Sequence, residues 1–118
     1  MSNPEEADID NKFNEAEVRA VVKKILSDKL LTASYDPATS DEVTTELTDK
    51  ILNDIKALNY KGYKILVQLT LGELKGQGVK NVAKSFWDEK TDHVITETFQ
   101  NIGLFCTVFV FGINAQYE

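Results

Sequence analysis

Residues that could carry out covalent chemistry are scarce, because the chain has one cysteine, Cys106, and one histidine, His93. A Cys–His nucleophile pair requires the two side chains within hydrogen-bond reach. In the tightest hairpin between their strands, with Gln100 opposite Gly103, His93 faces Val110. That position is four residues from Cys106, or roughly 13 Å along a strand. We therefore expect a buried structural thiol, a surface histidine and no enzymatic activity.

Ligand sites for metals and phosphates are not predicted either. A metal site needs several converging His, Cys or carboxylate ligands, whereas the acidic residues fall mostly on helix exteriors and in the N-terminal stretch. The stretch from Gly76 to Asn81, Gly-Gln-Gly-Val-Lys-Asn, begins like a dinucleotide-binding GxGxxG motif. It lacks the third glycine and leads into a strand, where the motif would open a helix. No cofactor is expected.

The net charge of −6 combines 13 basic with 19 acidic side chains and leaves no basic stripe. Nucleic acids and anionic membranes are therefore poor partners. The most apolar stretch, residues 104–113, is half of the ~20 residues that a membrane helix needs. A single cysteine permits no internal disulfide, and the acidic start lacks the apolar run of a signal peptide. These features predict a soluble, intracellular protein.

Hydrophobic periodicity predicts two helices. Residues 1–12 are polar and aperiodic, which is typical of a flexible acidic tail, and the domain is assigned to residues 13–118. Helix spacing from Asn14 predicts a first helix over residues 14–30, with Asn14 and Glu17 as a capping box. The second helix is predicted over residues 40–58, with Thr39 and Glu42 as its capping box.

After Gly62 the hydrophobic period changes to two, which indicates strands. The predicted strands cover residues 65–71, 79–87, 94–100 and 104–113. The order predicts an α+β domain in which two N-terminal helices pack on one face of a four-stranded antiparallel sheet.

The last strand is apolar on both faces, although two helices can cover only one face of the sheet. Its other face carries Phe105, Phe109 and Phe111, which would form an exposed apolar patch of the kind that marks an interface. We therefore predict a dimer or an obligate partner. The alternative is that these phenylalanines are covered by loops.

The glycines that precede the second predicted strand are compatible with two different pairings of that strand. Gly72, Gly76 and Gly78 lie within seven residues, and glycine permits positive φ. With such a connection, the strand could fold back on the first strand or extend and pair with a neighbouring copy. The residues alone do not choose between these.

From Tyr63 onward the chain resembles the Tctex-type dynein light chains, and most closely their Tctex2-like branch, which occurs in ciliary and axonemal dyneins. The segments that carry the resemblance are Tyr63-Lys-Ile-Leu-Val-Gln-Leu-Thr-Leu-Gly-Glu, Gly76-Gln-Gly-Val-Lys, Ser85-Phe-Trp-Asp-Glu-Lys-Thr-Asp92 and Phe99-Gln-Asn-Ile-Gly-Leu-Phe-Cys-Thr-Val-Phe-Val-Phe-Gly112. One departure is Ile102-Gly103, where relatives often have a serine after the asparagine.

The resemblance implies a dimer that exchanges the second strand, either with itself or with a related light chain. It also implies that an extended segment of the dynein intermediate chain binds beside the exchanged strand. The implied groove is lined by Val79, Lys80, Asn81, Val82, Ala83, Lys84, Ser85 and Phe86. The implied crossover and dimer residues are Gly72, Gly76, Gly78, Trp87, Phe105, Phe109 and Phe111.

The expected location is the cytoplasm and cytoskeleton, with a ciliary or flagellar axoneme favoured. A dynein-independent cargo or regulatory adaptor that uses the same groove is the alternative function.

Overall fold

The computed structural model describes residues 12–74 and 92–114. Within these residues the chain forms two helices followed by three strands. The helices are α1 (Glu15–Leu30) and α2 (Ser40–Lys56), and the strands are β1 (Tyr63–Glu73), β2 (Asp92–Gln100) and β3 (Leu104–Asn114). The α+β class, with two helices and an antiparallel sheet, is confirmed. The predicted strand over residues 79–87 lies outside the described residues, so a fourth strand stays a prediction.

Helix α1 begins with one half of the predicted capping box, while the Glu17 carboxylate accepts a hydrogen bond from the Tyr60 hydroxyl. The Asn14 side chain accepts a hydrogen bond from the backbone N–H of Glu17 at 3.1 Å, which satisfies one of the free donors of the first turn. The buried residues of α1 recur at helical spacing and form one apolar stripe: Val18, Val22, Ile25, Leu26 and Leu30.

Helix α2 begins at the predicted place but without the predicted capping box. Thr39 has a φ of −115° and a ψ of 1°, and its side chain makes no capping hydrogen bond. The preceding residues form a turn instead, in which the Thr39 N–H donates to the Asp36 carbonyl at 3.1 Å. The helix ends two residues earlier than predicted, because Asn59 takes the left-handed conformation with a φ of 61°.

The strands form one antiparallel sheet in the order β1-β3-β2, with β3 in the centre. The hairpin does not take the tightest register: Gln100 pairs with Phe105, and His93 pairs with Gly112. The hairpin closes one residue later than predicted, because the N–H of Asn101 donates to the carbonyl of Leu104 at 3.0 Å.

The core lies between the helices and one face of the sheet. α1 packs on β2, and α2 packs on β1. The face of β3 that points towards the helices is fully buried, with Leu104, Cys106, Val108 and Val110 at most 1% exposed. The prediction that the helices cover one face of the last strand is confirmed.

Candidate functional site

The outer edge of β1 is the first candidate site. The N–H of Leu74 donates to the Gly103 carbonyl at 2.9 Å, and hydrogen-bonded pairs alternate along an antiparallel ladder. The backbone N–H and C=O groups of the even-numbered residues of β1 therefore form hydrogen bonds with β3. The odd-numbered residues direct N–H and C=O groups away from the sheet, and those in the middle of the strand are Ile65, Val67, Leu69 and Leu71. No strand among residues 12–74 and 92–114 pairs with this edge.

The side chains of β1 distinguish its two faces. Those of the odd-numbered residues from Tyr63 to Leu71 point towards the helices and are half-buried. On the opposite face Leu66 is 45% exposed, and Gln68 and Thr70 are exposed as well. Between α2 and β1 the described residues form no side-chain hydrogen bond or ion pair. The edge therefore offers a continuous row of backbone groups beside an apolar helix–sheet junction.

The phenylalanine side chains of β3 are less exposed to solvent than the sequence predicts. Phe109 is only 9% exposed, and Phe105 and Phe111 are half-buried. The rings of Phe109 and Phe111 stack with centroids 6.5 Å apart, and the ring of Phe105 lies over Gly72. The three phenylalanines therefore form a smaller exposed patch than predicted.

Gly72 occupies a strand position rather than a connection. The structure extends β1 through Glu73, two residues past the predicted end, and pairs Gly72 with Phe105. A β-carbon at Gly72 would collide with the Phe105 ring. This glycine thus gives room to an aromatic side chain, and the connection to the next strand starts later than predicted.

The hairpin between β2 and β3 is held against α1 by the side chain of Asn101. Its amide nitrogen donates to the carbonyls of Leu30 at 3.0 Å and Ala33 at 2.9 Å. Its amide oxygen accepts from the backbone N–H of Gly103 at 2.9 Å and of Leu104 at 3.0 Å. All four hydrogen bonds that an amide side chain most readily makes are formed, so the hairpin and the end of α1 act as one unit.

Cys106 and His93 do not form a catalytic pair. Cys106 is fully buried and pairs with Phe99, whereas His93 pairs with Gly112 six positions further along β3, or roughly 20 Å away. Burial raises the pKa of the Cys106 thiol to about 12, which keeps it protonated and unreactive.

His93 is half-buried rather than a surface group. Its ring stacks on Phe13 with centroids 4.9 Å apart, and its Nδ1 lies 2.9 Å from the Glu15 carboxylate. Phe13 also contacts Tyr60 and Tyr63 with centroid distances of 5.2 and 5.7 Å.

Phe13 itself is 7% exposed and belongs to the core, a role that the helical stripe did not reveal. The available signal was its place directly before the cap residue Asn14, which is where a hydrophobic residue often packs back on the first helical turn.

Two cavities of the described part of the chain border helix α2. One of about 410 Å³ borders the acidic outer side of α2 at Asp41, Glu42, Thr45 and Glu46. Another of about 290 Å³ lies where α2 leads into β1, beside Tyr60, Tyr63 and Lys64. The described residues contain no group of three or more His, Cys, Asp or Glu side chains that could hold a metal ion. In the same part of the chain, neither helix has the length and apolar character needed to cross a membrane.

The predicted partner-binding residues 79–86 lie outside the described residues, as do Gly76, Gly78 and Trp87. The structure therefore places only part of the predicted site. It places the first strand, beside which these residues were expected, and the three phenylalanines of β3.

Comparison with known proteins identifies the family. The Tctex-1 family model matches residues 12–113, which include both helices and nearly all of the sheet. The chain belongs to the Tctex-1 family.

Named relatives in the Tctex-1 family include dynein light chain Tctex-type protein 2B of Mus musculus. It is 36% identical over 101 residues, which cover 86% of this chain and 70% of the relative. The human protein of the same name is 33% identical over 86% of this chain and 71% of its own length. A dynein light chain Tctex-type of Dictyostelium discoideum is 26% identical, over 89% of this chain and 95% of its own.

Proposed function

We propose that this chain is a non-catalytic light chain of a dynein motor complex that dimerises and holds the dynein intermediate chain by strand addition. The observation that carries the proposal is the outer edge of β1. There the backbone groups of Ile65, Val67, Leu69 and Leu71 point away from the sheet, and no strand within residues 12–74 and 92–114 pairs with them. Relatives of this chain are themselves named dynein light chains. Strand addition at such an edge uses main-chain hydrogen bonds for affinity and side-chain pockets for selectivity.

Dimerisation by exchange of the strand over residues 79–87 fits the sheet order. β1 and β2 are consecutive described strands in the chain, yet β3 lies between them. The chain therefore leaves β1 at Glu73 and returns on the other side of β3 at Asp92. A strand in this connection that adds at the β1 edge lies beyond β1 of its own copy, or beyond β1 of a partner copy. The second arrangement joins two chains.

Bivalent capture follows from a dimer of this kind. Two copies offer two equivalent edges, so that within a dimer of intermediate chains the binding of one chain raises the effective concentration of the other at the second edge. We expect the proposed groove residues, Val79 to Phe86, to lie between β1 of one copy and the captured segment. The partner copy is either an identical chain or a related Tctex-type light chain.

The cytoskeleton is the expected setting of such a subunit, and we propose a ciliary or axonemal dynein as the motor. This finer assignment rests on the resemblance to the Tctex2-like branch and on the Tctex-type 2B relatives. A tagged chain expressed in ciliated cells should colocalise with axonemal microtubules, and an exclusively cytoplasmic signal would contradict the ciliary assignment.

Proline substitutions can test which edge is used, because proline cannot donate a ladder hydrogen bond. Val67→Pro removes an outward N–H from β1, whereas Thr96→Pro removes one from β2 and serves as the matched control. Light scattering and binding of an intermediate-chain peptide should show loss of the dimer and of peptide binding in Val67→Pro alone. Circular dichroism must show that both variants fold. A folded Val67→Pro variant with normal dimerisation and binding would contradict the proposal.

A further inference from the structure

A polar stripe of α1 faces β2. Its members recur every four residues and so lie on one side of the helix; they are Glu15, Arg19, Lys23 and Ser27. Glu15 Oε2 lies 2.9 Å from His93 Nδ1 near the start of β2. Lys23 and Ser27 line a cavity of about 200 Å³ together with Thr98 near its end. Helix α1 therefore runs beside β2 over most of the length of the strand.

Arg19 is the member of this stripe that reaches the backbone of β2. Its guanidinium donates to the carbonyl of Thr96 at 3.2 Å and to the carboxylate of Glu97 at 3.1 Å. The Glu97 side chain is 12% exposed, whereas that of Arg19 is 43% exposed. Glu97 is thus a charge that points inward from the strand, and it fixes the direction of the guanidinium fork.

The carbonyl that Arg19 holds belongs to the outer edge of β2. Asn101 N–H donates to the Leu104 carbonyl, and because hydrogen-bonded pairs alternate, odd-numbered residues of β2 bond to β3. Thr96 and the other even-numbered residues therefore direct their backbone groups outward. An added strand would need the Thr96 carbonyl as an acceptor, and Arg19 already occupies it.

The two outer edges of the sheet differ in whether a helix side chain contacts their backbone groups. Helix cover and inward-pointing charges are both devices by which proteins protect edge strands from pairing, and β2 has both. Among the described residues, no helix side chain donates to the backbone of β1.

We propose that Arg19, oriented by Glu97, closes the β2 edge to strand addition, so that a polypeptide can join this sheet only at β1. The inference concerns the edge opposite to the proposed partner site. It holds whatever segment binds at β1, and it explains how a sheet with two outer edges joins a partner without growing into an open-ended assembly.

The test removes the Arg19–Glu97 ion pair while keeping the side-chain bulk and the net charge of the protein. Arg19→Met retains the long apolar stem, and Glu97→Gln avoids leaving an unpaired carboxylate in a half-buried position. The matched control is Lys24→Met with Asp28→Asn, which removes an ion pair of the same 3.1 Å length from the exposed side of α1. Light scattering is recorded over a hundredfold range of protein concentration, with circular dichroism as the check on folding.

We expect the Arg19→Met/Glu97→Gln protein to at least double its weight-average mass relative to wild type at the highest concentration, while the control keeps the wild-type mass. Adding Thr96→Pro should restore the wild-type mass, because it removes an outward donor from the same edge. A folded double variant of unchanged mass overturns the proposal, and so does association that persists with Thr96→Pro. A double variant that does not fold also overturns it, since the pair would then be needed for folding.

Discussion

The ring of Phe13 lies directly against the backbone of Gly112. A β-carbon at Gly112 would be 2.5 Å from the nearest ring carbon of Phe13, a distance at which side chain or backbone must move. Phe13 also stacks on His93 of the neighbouring strand. Phe13, which precedes the cap residue of α1, therefore packs against the start of β2 and the end of β3. Gly112 in the central strand leaves space for its ring.

Gly112→Ala should destabilise the protein because the new methyl group displaces the Phe13 ring. Overpacking of this kind typically costs about 1–3 kcal/mol of unfolding free energy, measurable by urea denaturation. Gly103→Ala is the matched control, since a β-carbon there meets nothing within 4 Å, and its effect should be close to zero or slightly stabilising. Equal effects of the two substitutions would show that the Phe13 contact is not tight.

Asn101→Ala removes the four hydrogen bonds that join the β2–β3 hairpin to the end of α1. Loss of several part-buried hydrogen bonds should lower the free energy of unfolding by about 2–3 kcal/mol. Asn101→Asp retains an acceptor oxygen for the hairpin N–H groups but turns a carboxylate oxygen towards the carbonyls of Leu30 and Ala33, so it should be at least as destabilising. Asn53→Ala, on the exposed side of α2, is the control and should be neutral. If Asn101→Ala were equally mild, the connection would be dispensable.

The raised pKa of Cys106 makes stability depend on pH in a defined direction. The folded thiol has a pKa of about 12 because it is buried, whereas an unfolded cysteine has a pKa of about 8.5. The unfolded state therefore loses its proton first, and the contribution is complete below about pH 8.5 and lost as the pH rises towards 12.

Between about pH 8.5 and 10, the unfolding free energy of the wild type should fall more steeply than that of Cys106→Ala, by up to about 1.4 kcal/mol per pH unit. This window lies below the range in which Tyr60 contributes, whose pKa is raised by burial and by its hydrogen bond to Glu17. Parallel curves for the two proteins would show that the thiol is not shielded from water.

The two helix starts should respond differently to loss of their cap residues. Asn14→Ala removes a side-chain hydrogen bond to the Glu17 N–H and should cost about 1 kcal/mol. Thr39→Ala removes no capping hydrogen bond and should cost less than half as much. Thermal denaturation of the two variants gives the comparison, and a larger effect of Thr39→Ala would contradict the assignment of the caps.

Local patterns in the sequence predicted most of the fold. The 3.6-residue period located α1 through Val18, Val22 and Leu26, and the two-residue period located β3 with its buried side. These features depend on neighbours along the chain, which a sequence displays directly. The family resemblance, carried by motifs in β1 and β3 and by two segments between residues 76 and 92, is confirmed by the Tctex-1 match.

The errors concern features that depend on contacts distant in sequence. The hairpin register is fixed by Asn101, whose partners Leu30 and Ala33 are about seventy residues earlier. His93 is half-buried because Phe13 covers it, and Gly72 leaves space for the ring of Phe105 because it has no side chain. Arg19 has no signal in its own neighbourhood, since a charged residue on a helix is ordinarily assigned to a solvated face. Only the placement of α1 beside β2 gives it a specific role.

The mass of the purified chain, measured by light scattering with and without a dynein intermediate-chain peptide, shows whether the chain is a dimer that binds this peptide. We expect a particle of about twice the 13.3 kDa chain mass, which gains two peptides. A folded monomer that ignores the peptide would contradict the proposed homodimeric light chain, and the related Tctex-type chain that completes a mixed dimer would then be the next protein to add.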